Sequence, residues 1–599
     1  MQNPFTSPPS VDSAVSRRRV LAGLATAGAA SSAGCAKQAH SMLNRSDPSQ
    51  VSLTVKTVPA DDDPVATRMA RYLATRLQHV GIDASVELMR RENLLIDVLF
   101  KQSFDCYVWR FPPITDPDAL WSLLHSKFVV EPGWQNPFGY STLGVDDLLD
   151  RQRRLTGSRR GSVLATLQQR LARSLPFVPI AFPNQVRAVR NERVHYESDG
   201  LLHSPVGYCT LDAGDAAGGD TLTATLDDGR PTENLNPIAT EYRGDWVVPS
   251  LLYDSLAREV GGQFRPWLAD SIDWQQNSAA GTPTAIVTLR DECAWHDGEP
   301  VTAEDVAFTY EFLQDTSLGR MESPLPAPAF RGRVSLVESA SAIGDSQVRL
   351  SFGECSPRVA WRALTVPVLP KHDWERASEQ ANVPGVQNGP VTRALVRENM
   401  NPVGSGPLRY ESHATRNSLT LSRNDDHFLH REDRTGLPDR VDGFDFEKLH
   451  FRVVPSTAVA RRLVLRGEAD VSATSLSAEA VEPVGGAADV RLRVTNSPSP
   501  YHVGFDVRSA PFSNIRFRQA VAALLDRSYI VDEFMGGFAQ PTVSPLPMDQ
   551  LVPKSLQWSG TDPNFPFPGE DGELNVERAK QAFVDAGYRY SNNGALLSR

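Results

Sequence analysis

The sequence predicts an α/β protein built in two or more lobes, and three observations carry that prediction. The first is length: 599 residues exceed what one hydrophobic core serves, because single cores stop growing near about 250–300 residues. The second is the stretch 284–310, TAIVTLRDECAWHDGEPVTAEDVAFTY. Its first part, through Ile286, Thr288 and Leu289, keeps the alternating period of a half-buried strand. Asp297 and Gly298 signal a turn. Thr302, with Asp305 three residues on, then starts a helix in a capping-box pattern, and Glu304 and Asp305 fall where the helix dipole favours acid. The third is the order strand, helix, strand. VSLTVKTV alternates at 51–58, apolar residues recur at helical spacing over 64–80, and a second strand follows Gly81 and Ile82 at 84–88.

Each remaining element can be read in chain order. Residues 1–15 are polar and rich in Pro and Ser, and Ser16, Arg17, Arg18, Arg19, Val20 and Leu21 then lead into a weakly apolar, Gly/Ala-rich run at 21–33. A basic cluster before a hydrophobic run too short to cross a bilayer is the pattern of a signal peptide, and the twin arginines resemble a Tat signal for export of folded protein. Ser32, Ala33, Gly34 and Cys35 resemble a lipobox, whose cysteine is lipidated and becomes the first mature residue. Two acyl chains there would hold a membrane firmly. Residues 1–35 are therefore expected to be a Tat/lipoprotein signal peptide and 36–50 a polar tether, with a glycosylation sequon at Asn44, Arg45 and Ser46. Further on, a short strand is expected at 104–108, a loop WRFPPITDPD at 109–118 and a helix over 146–175. At the far end NVERAKQAFVDAG, 575–587, reads as a helix closed by glycine. Tyr588 onward reads as one arm of a hairpin that turns at Asn593 and Gly594.

Composition removes several classes of function. The net charge is −11, and only eight of the 61 basic residues are Lys, which argues against a nucleic-acid surface. Cys35, Cys106, Cys209, Cys293 and Cys355 show neither a C-x-x-C pair nor zinc spacing. Cys293 and Cys355 could pair within one lobe, or remain buried free thiols. His296, Asp297, Glu299 and Glu304 have the chemistry of metal ligands, but each already has a structural task in the turn or cap, so no metal and no cofactor are expected. The chain carries no GxSxG, P-loop, HExxH or dinucleotide fingerprint, and is not expected to be an enzyme.

LRDECAWHDGEPVTAEDVAFTYEF at 289–312 closely resembles the signature of the family 5 (peptide/nickel-type) solute-binding proteins of ABC transporters. So do NPVGSGPLRY at 401–410, LSRNDDHF at 421–428, RRLVLRGEADV at 461–471 and YHVGFDVRSAPFSNIRFRQAVAALLDRSYI at 501–530. The resemblance implies a two-lobed periplasmic-binding-protein type II (Venus flytrap) α/β fold. One departure stands out. In the family, a helix ending in Gly-Ile, a strand FDxxxxxW and a loop ending DPD lie near the C-terminus, whereas here they come first. The chain also stops at Arg599, where the family pattern would continue into a strand like VSLTVKTV. A circular permutation is therefore expected, with LDAGDAAGGD at 211–220 joining the old ends. On that order residues 499–599 and 51–186 are the first and second parts of lobe II, and 187–498 are lobe I. Two strands, near 497–505 and 177–186, cross between them as a hinge.

By the same resemblance the protein is an extracytoplasmic monomer, lipid-anchored to the outer face of the cytoplasmic membrane, that captures a solute and delivers it to an ABC permease. The ligand in the family is commonly a short peptide, sometimes a nickel chelate or an oligosaccharide. A peptide-sensing receptor and a metallophore binder are the alternative readings. Such pockets combine aromatic walls with a few polar anchors. The candidates are Asn236, Tyr242 and Trp246 in lobe I, and Trp109 and Arg110 in lobe II. In dipeptide- and oligopeptide-binding members an Asp just beyond the FDxxxxxW tryptophan pairs with the peptide's α-amino group. Here that position falls on proline, at Pro112 and Pro113, and the nearest acids, Asp116 and Asp118, sit in the DPD turn with a structural role. Arg110 instead offers a cationic fork suited to a carboxylate, so free-amino dipeptides are expected to bind poorly.

Overall fold

The strand Ser52–Thr57 buries Leu53, Val55 and Thr57 and turns its other residues outward, as its alternation predicts. It runs parallel to Asp83–Leu88 and to Cys106–Arg110. A parallel pair needs a crossover, which the helix Pro64–His79 provides. Asp63 caps this helix, its Oδ1 accepting from the Ala66 N–H at 2.9 Å. Pro64 takes a first-turn position, where a missing N–H costs nothing. The helix then buries Met69, Ala70, Leu73 and Leu77. The structure is a computed structural model that describes residues 48–191, 202, 205–209, 211, 221–239, 247–260, 262–276, 282–381, 391–431 and 444–598. Residues 1–47, with the expected signal peptide, Cys35, the sequon and most of the tether, lie outside it. So do residues 212–220 of the linker, and Tyr242 and Trp246.

One sheet of twelve strands joins both ends of the chain to its middle. From one edge it runs Leu408–Ala414, Ser418–Arg423, Lys448–Val453, Thr221–Leu226, Val471–Ser472, Phe177–Arg190, Tyr501–Phe505, Cys106–Arg110, Ser52–Thr57 and Asp83–Leu88; Val490–Asn496 and Ala539–Pro541 also pair with Phe177–Arg190. The sheet serves two main cores. One, here called lobe II, packs Leu53, Leu73, Val108 and Leu167 against Val503, Phe517, Phe583 and Leu596. The other, lobe I, contains Leu222, Trp267, Val287, Phe312, Trp374 and Leu449. A smaller cluster puts Leu463 and Val464 against Val186 and Ala188.

Phe177–Arg190 connects the two cores. It is 14 residues long, and at about 3.3 Å per residue such a strand reaches roughly 45 Å. Its first half pairs with Tyr501–Phe505 and Ala539–Pro541 in lobe II. Its second half pairs with Val490–Asn496 and Val471 in lobe I. The chain returns to lobe II between Val490–Asn496 and Tyr501–Phe505.

The two ends of the described chain meet. Val51 N–H donates to the Leu596 carbonyl at 2.8 Å, Leu596 N–H to that of Gly81 at 2.7 Å, and Ser598 N–H to that of Ser49 at 2.7 Å. Leu596 belongs to the short hairpin Arg589–Tyr590 with Leu596–Leu597.

The 284–310 stretch folds as a strand, Pro283–Leu289, and a helix, Ala303–Gln314, with both bonds of the Thr302/Asp305 capping box present. Two readings change in detail, and one left open is decided. The helix expected over 146–175 is two helices, Leu143–Arg154 and Gly157–Ser174, because Thr156 is extended and Gly157 takes a φ of +56°. The strand expected at 104–108 lies at Cys106–Arg110, so Trp109 and Arg110 leave the expected loop. Pairing with Tyr501–Phe505 supplies their backbone partners. Cys293 and Cys355 are free thiols, and burial pushes both up to about 12.

Candidate functional site

The two lobes face each other where the strands Thr221–Leu226 and Cys106–Arg110 end. Asp228 and Arg230 follow the first of these. The Arg230 guanidinium grips the Asp228 carboxylate, its Nε donating at 2.7 Å, and Asp228 also accepts the Arg230 N–H at 3.1 Å. Burial alone would raise the Asp228 pKa, but its contacts with Arg230 and with Arg91 outweigh that and hold it below the usual carboxylate range. Arg91 belongs to lobe II. Its Nη1 lies 3.7 Å from Asp228, and its guanidinium sits 5.3 Å over the Trp109 ring. A partly exposed pair of this kind contributes at most about 1 kcal/mol, so the lobes can part here at little cost.

Trp109 and Arg110 are neighbours on one strand, and alternation sends their side chains to opposite faces. Arg110 Nη2 donates to Ser497 Oγ at 3.2 Å, and its guanidinium lies 5.5 Å over the Tyr501 ring. The Tyr501 hydroxyl in turn donates to Asp63 Oδ2 at 2.9 Å. Burial first, then the nearby Asp63 charge, push that hydroxyl well above its ordinary pKa. The cap of the Pro64–His79 helix therefore fixes Tyr501, and Tyr501 with Ser497 fixes Arg110 beside the point where the chain crosses back to lobe II.

Asn236 is spent inside lobe I. Its amide donates to the carbonyls of Ala394 at 2.8 Å and Arg397 at 3.1 Å, and its oxygen accepts the Ile238 N–H at 2.9 Å. The residues that sequence reasoning missed are Arg91, Asp228 and Arg230. The one local signal for them is the D-G turn directly after the 221–226 strand. A separate shallow basin of about 390 Å³ is lined by Thr54, Lys56, Glu87, Asp105 and Asp506 among others.

The turn residues keep structural tasks. His296 Nε2 pairs with the Gly406 carbonyl at 3.0 Å, and burial pushes the ring down to about 4. Asp297 faces His372 at 2.9 Å, and Glu304 faces Lys371 at 3.4 Å. Among the described residues no group of three or more His, Cys, Asp or Glu could hold a metal ion, and no helix is long and apolar enough to cross a membrane.

A sequence profile described as "Bacterial extracellular solute-binding proteins, family 5 Middle" matches residues 263–597. The chain belongs to this family. Among relatives of this family 5 protein, a putative ABC transporter peptide-binding protein of Brucella ovis is 23% identical over 372 residues, covering 61% of this chain and 60% of that one. The oligopeptide-binding protein AppA of Bacillus subtilis is 23% identical over 390 residues, covering 64% and 62%. The chain thus spans about three fifths of the length of these relatives. The solved structure of Bacillus subtilis AppA with a nonapeptide aligns with a TM-score of 0.44 at 20% identity, over 64% of this chain and 66% of that one.

Proposed function

We propose that this protein is an extracytoplasmic solute-binding lipoprotein. It captures a peptide or another polar solute between its two lobes, as a monomer, and delivers it to an ABC permease. One observation carries the reading within the family: Asp228 and Arg230 of lobe I meet Arg91 and Trp109 of lobe II, and Arg110 lies beside Ser497 where the chain crosses back to lobe II. A ligand favours closure only by its differential affinity for the closed state, so groups from both lobes must reach it. Trp109, backed by Arg91, is the aromatic wall, and Arg110 the anchor for a carboxylate or another acceptor. Mass spectrometry of solute released from purified protein, followed by thermal shift with a panel, tests this. A true ligand at 100 times its Kd adds about 2.7 kcal/mol of stability. Free-amino dipeptides are expected to give little shift. Tight dipeptide binding that disappears when the amino group is blocked overturns the Arg110 reading.

The chain order belongs to the same proposal. Residues 499–599 and then 51–186 make lobe II, and 187–498 lobe I, as a circular permutation joined through 211–220. The shared core of residues 51–181 and 501–596 supports this. So do the bonds between Val51 and Leu596 and a family match that ends at residue 597. Ten linker residues reach at most roughly 30–36 Å, enough for ends on one lobe. A chain in which 51–210 follow residue 599 through a short turn is expected to unfold cooperatively at similar stability, since tolerated permutations join ends already close in space. An unfolded product overturns the permutation.

Residues 1–35 then act as a Tat-type lipoprotein signal, with Cys35 the lipidated residue on the outer face of the membrane. Cys35→Ser is expected to move the protein from the membrane fraction to the soluble fraction. Unchanged membrane fractionation would refute the anchor.

A further inference from the structure

We infer that the Asp116, Pro117, Asp118 turn and the segment after it form a latch between the lobes, centred on Asp118 of lobe II and Arg362 of lobe I, that tunes solute affinity without touching solute. The inference rests on the two-lobe capture reading.

The Asp118 side chain is 0% exposed. Its own lobe already satisfies it, through Arg153 Nε at 2.7 Å, Arg153 Nη2 at 3.1 Å and Gln152 Nε2 at 2.8 Å. To these the opposite lobe adds Arg362, whose Nη1 donates to Asp118 Oδ2. Asp116 fixes the turn, accepting the Asp118 N–H at 2.8 Å and Arg160 Nη2 at 2.9 Å.

Further bonds join the same two surfaces. Arg331 of lobe I forks onto Glu131 of lobe II at 2.8 and 3.1 Å. Gln135 donates to the Pro328 carbonyl at 2.6 Å, and the Ser356 N–H to the Arg153 carbonyl at 2.8 Å. Arg154 pairs with Glu354 at 2.7 Å. All of these join residues 115–154 to residues of lobe I, whereas at the cleft Arg91 Nη1 stays 3.7 Å from Asp228.

Eight positions separate Arg110 in the cleft from Asp118, and three of the seven residues between them are prolines, Pro112, Pro113 and Pro117. Proline fixes φ, so the connector between Arg110 and the latch is stiffened. A contact made only when the lobes meet adds its free energy to that of any ligand needing the same closure. The latch therefore lengthens solute residence without lining the pocket.

Because Asp118 keeps Arg153 and Gln152, loss of Arg362 leaves the turn intact, and Arg362 is the position to change. The readout is small-angle scattering of the full mature chain, freed of bound solute, for the parent, Arg362→Gln and Arg331→Gln, with Arg362→Lys as the conservative variant. Both Gln variants are expected to increase the radius of gyration while keeping parental circular dichroism, and Arg362→Lys to restore the compact form in part. With the solute recovered by mass spectrometry, the Gln variants are expected to bind about tenfold more weakly, mostly through faster dissociation. If both Gln variants keep the parent's scattering curve, the latch is overturned, whether or not solute binds. If they expand while neither they nor the parent bind any solute, the contact between the lobes stands, and the capture reading falls together with the effect on affinity. Should one variant fail to fold, the other reads the same surface.

Discussion

Asp254→Ala is expected to lower the stability of lobe I by about 3–5 kcal/mol, the usual cost of leaving buried charged partners without their counter-ion. Asp254 is 0% exposed. Its Oδ1 accepts Trp267 Nε1 at 2.7 Å and Arg258 Nη2 at 3.4 Å. Its Oδ2 accepts Ser405 Oγ at 3.2 Å and meets His427 Nε2 at 3.1 Å. One carboxylate thus ties together the strand Ala257–Val260, Trp267 and the loops at 405 and 427. Burial would raise its pKa, but the facing His427 and Arg258, with Trp267, outweigh burial and lower it. A lowered folded-state pKa means that the stabilisation is fully present above the unfolded carboxyl value of about 3.9, and fades as pH falls through the folded value. Calorimetry of the parent and Asp254→Asn should therefore show a Tm gap that is constant above about pH 5 and narrows in stronger acid. A gap that does not change down to pH 3 would mean that the charge of Asp254 is not what the network needs.

The second large effect is expected at Gly81→Val, where the chain ends meet. Gly81 has a φ of +82°, and a Cβ there would lie 2.1 Å from the Gly594 carbonyl oxygen and 3.0 Å from the Leu596 nitrogen. The left-handed backbone costs a branched residue about 1–2 kcal/mol, and forcing the Gly594 backbone aside adds about 1–3 kcal/mol. The strain falls on the Arg589–Tyr590 and Leu596–Leu597 hairpin, so amide exchange should speed up at Val51 and Leu596 before the rest of lobe II opens. Gly298→Val is the control. Gly298 also has positive φ, +94°, but nothing lies within 4 Å of the added carbon, so only the backbone term remains. Equal losses at the two positions would show that the junction is not tightly packed.

Much of this architecture is legible because the signals are local. The alternation of 51–58, the Thr302 and Asp305 cap and the glycine-closed helix before residue 588 each depend on residues a few positions apart, where backbone hydrogen bonding and side-chain period act. The site was legible only in part. Trp109 and Arg110 were expected in one loop, but they are neighbours on a strand and so point to opposite faces. Asn236 sits in the expected loop, yet the carbonyls of Ala394 and Arg397, about 160 residues away, consume its amide.

By itself the sequence determined the family, through motifs such as 289–312 and 501–530 that resemble its signature, and it determined the α/β class and many of the strands and capped helices, because periodicity and capping are written within one or two turns of chain. Only the tertiary structure decided which charges meet. Arg91 faces Asp228 across 137 positions and Asp118 meets Arg362 across 244. No local pattern specifies such pairs, because their energies depend on burial and on a register set by the whole sheet.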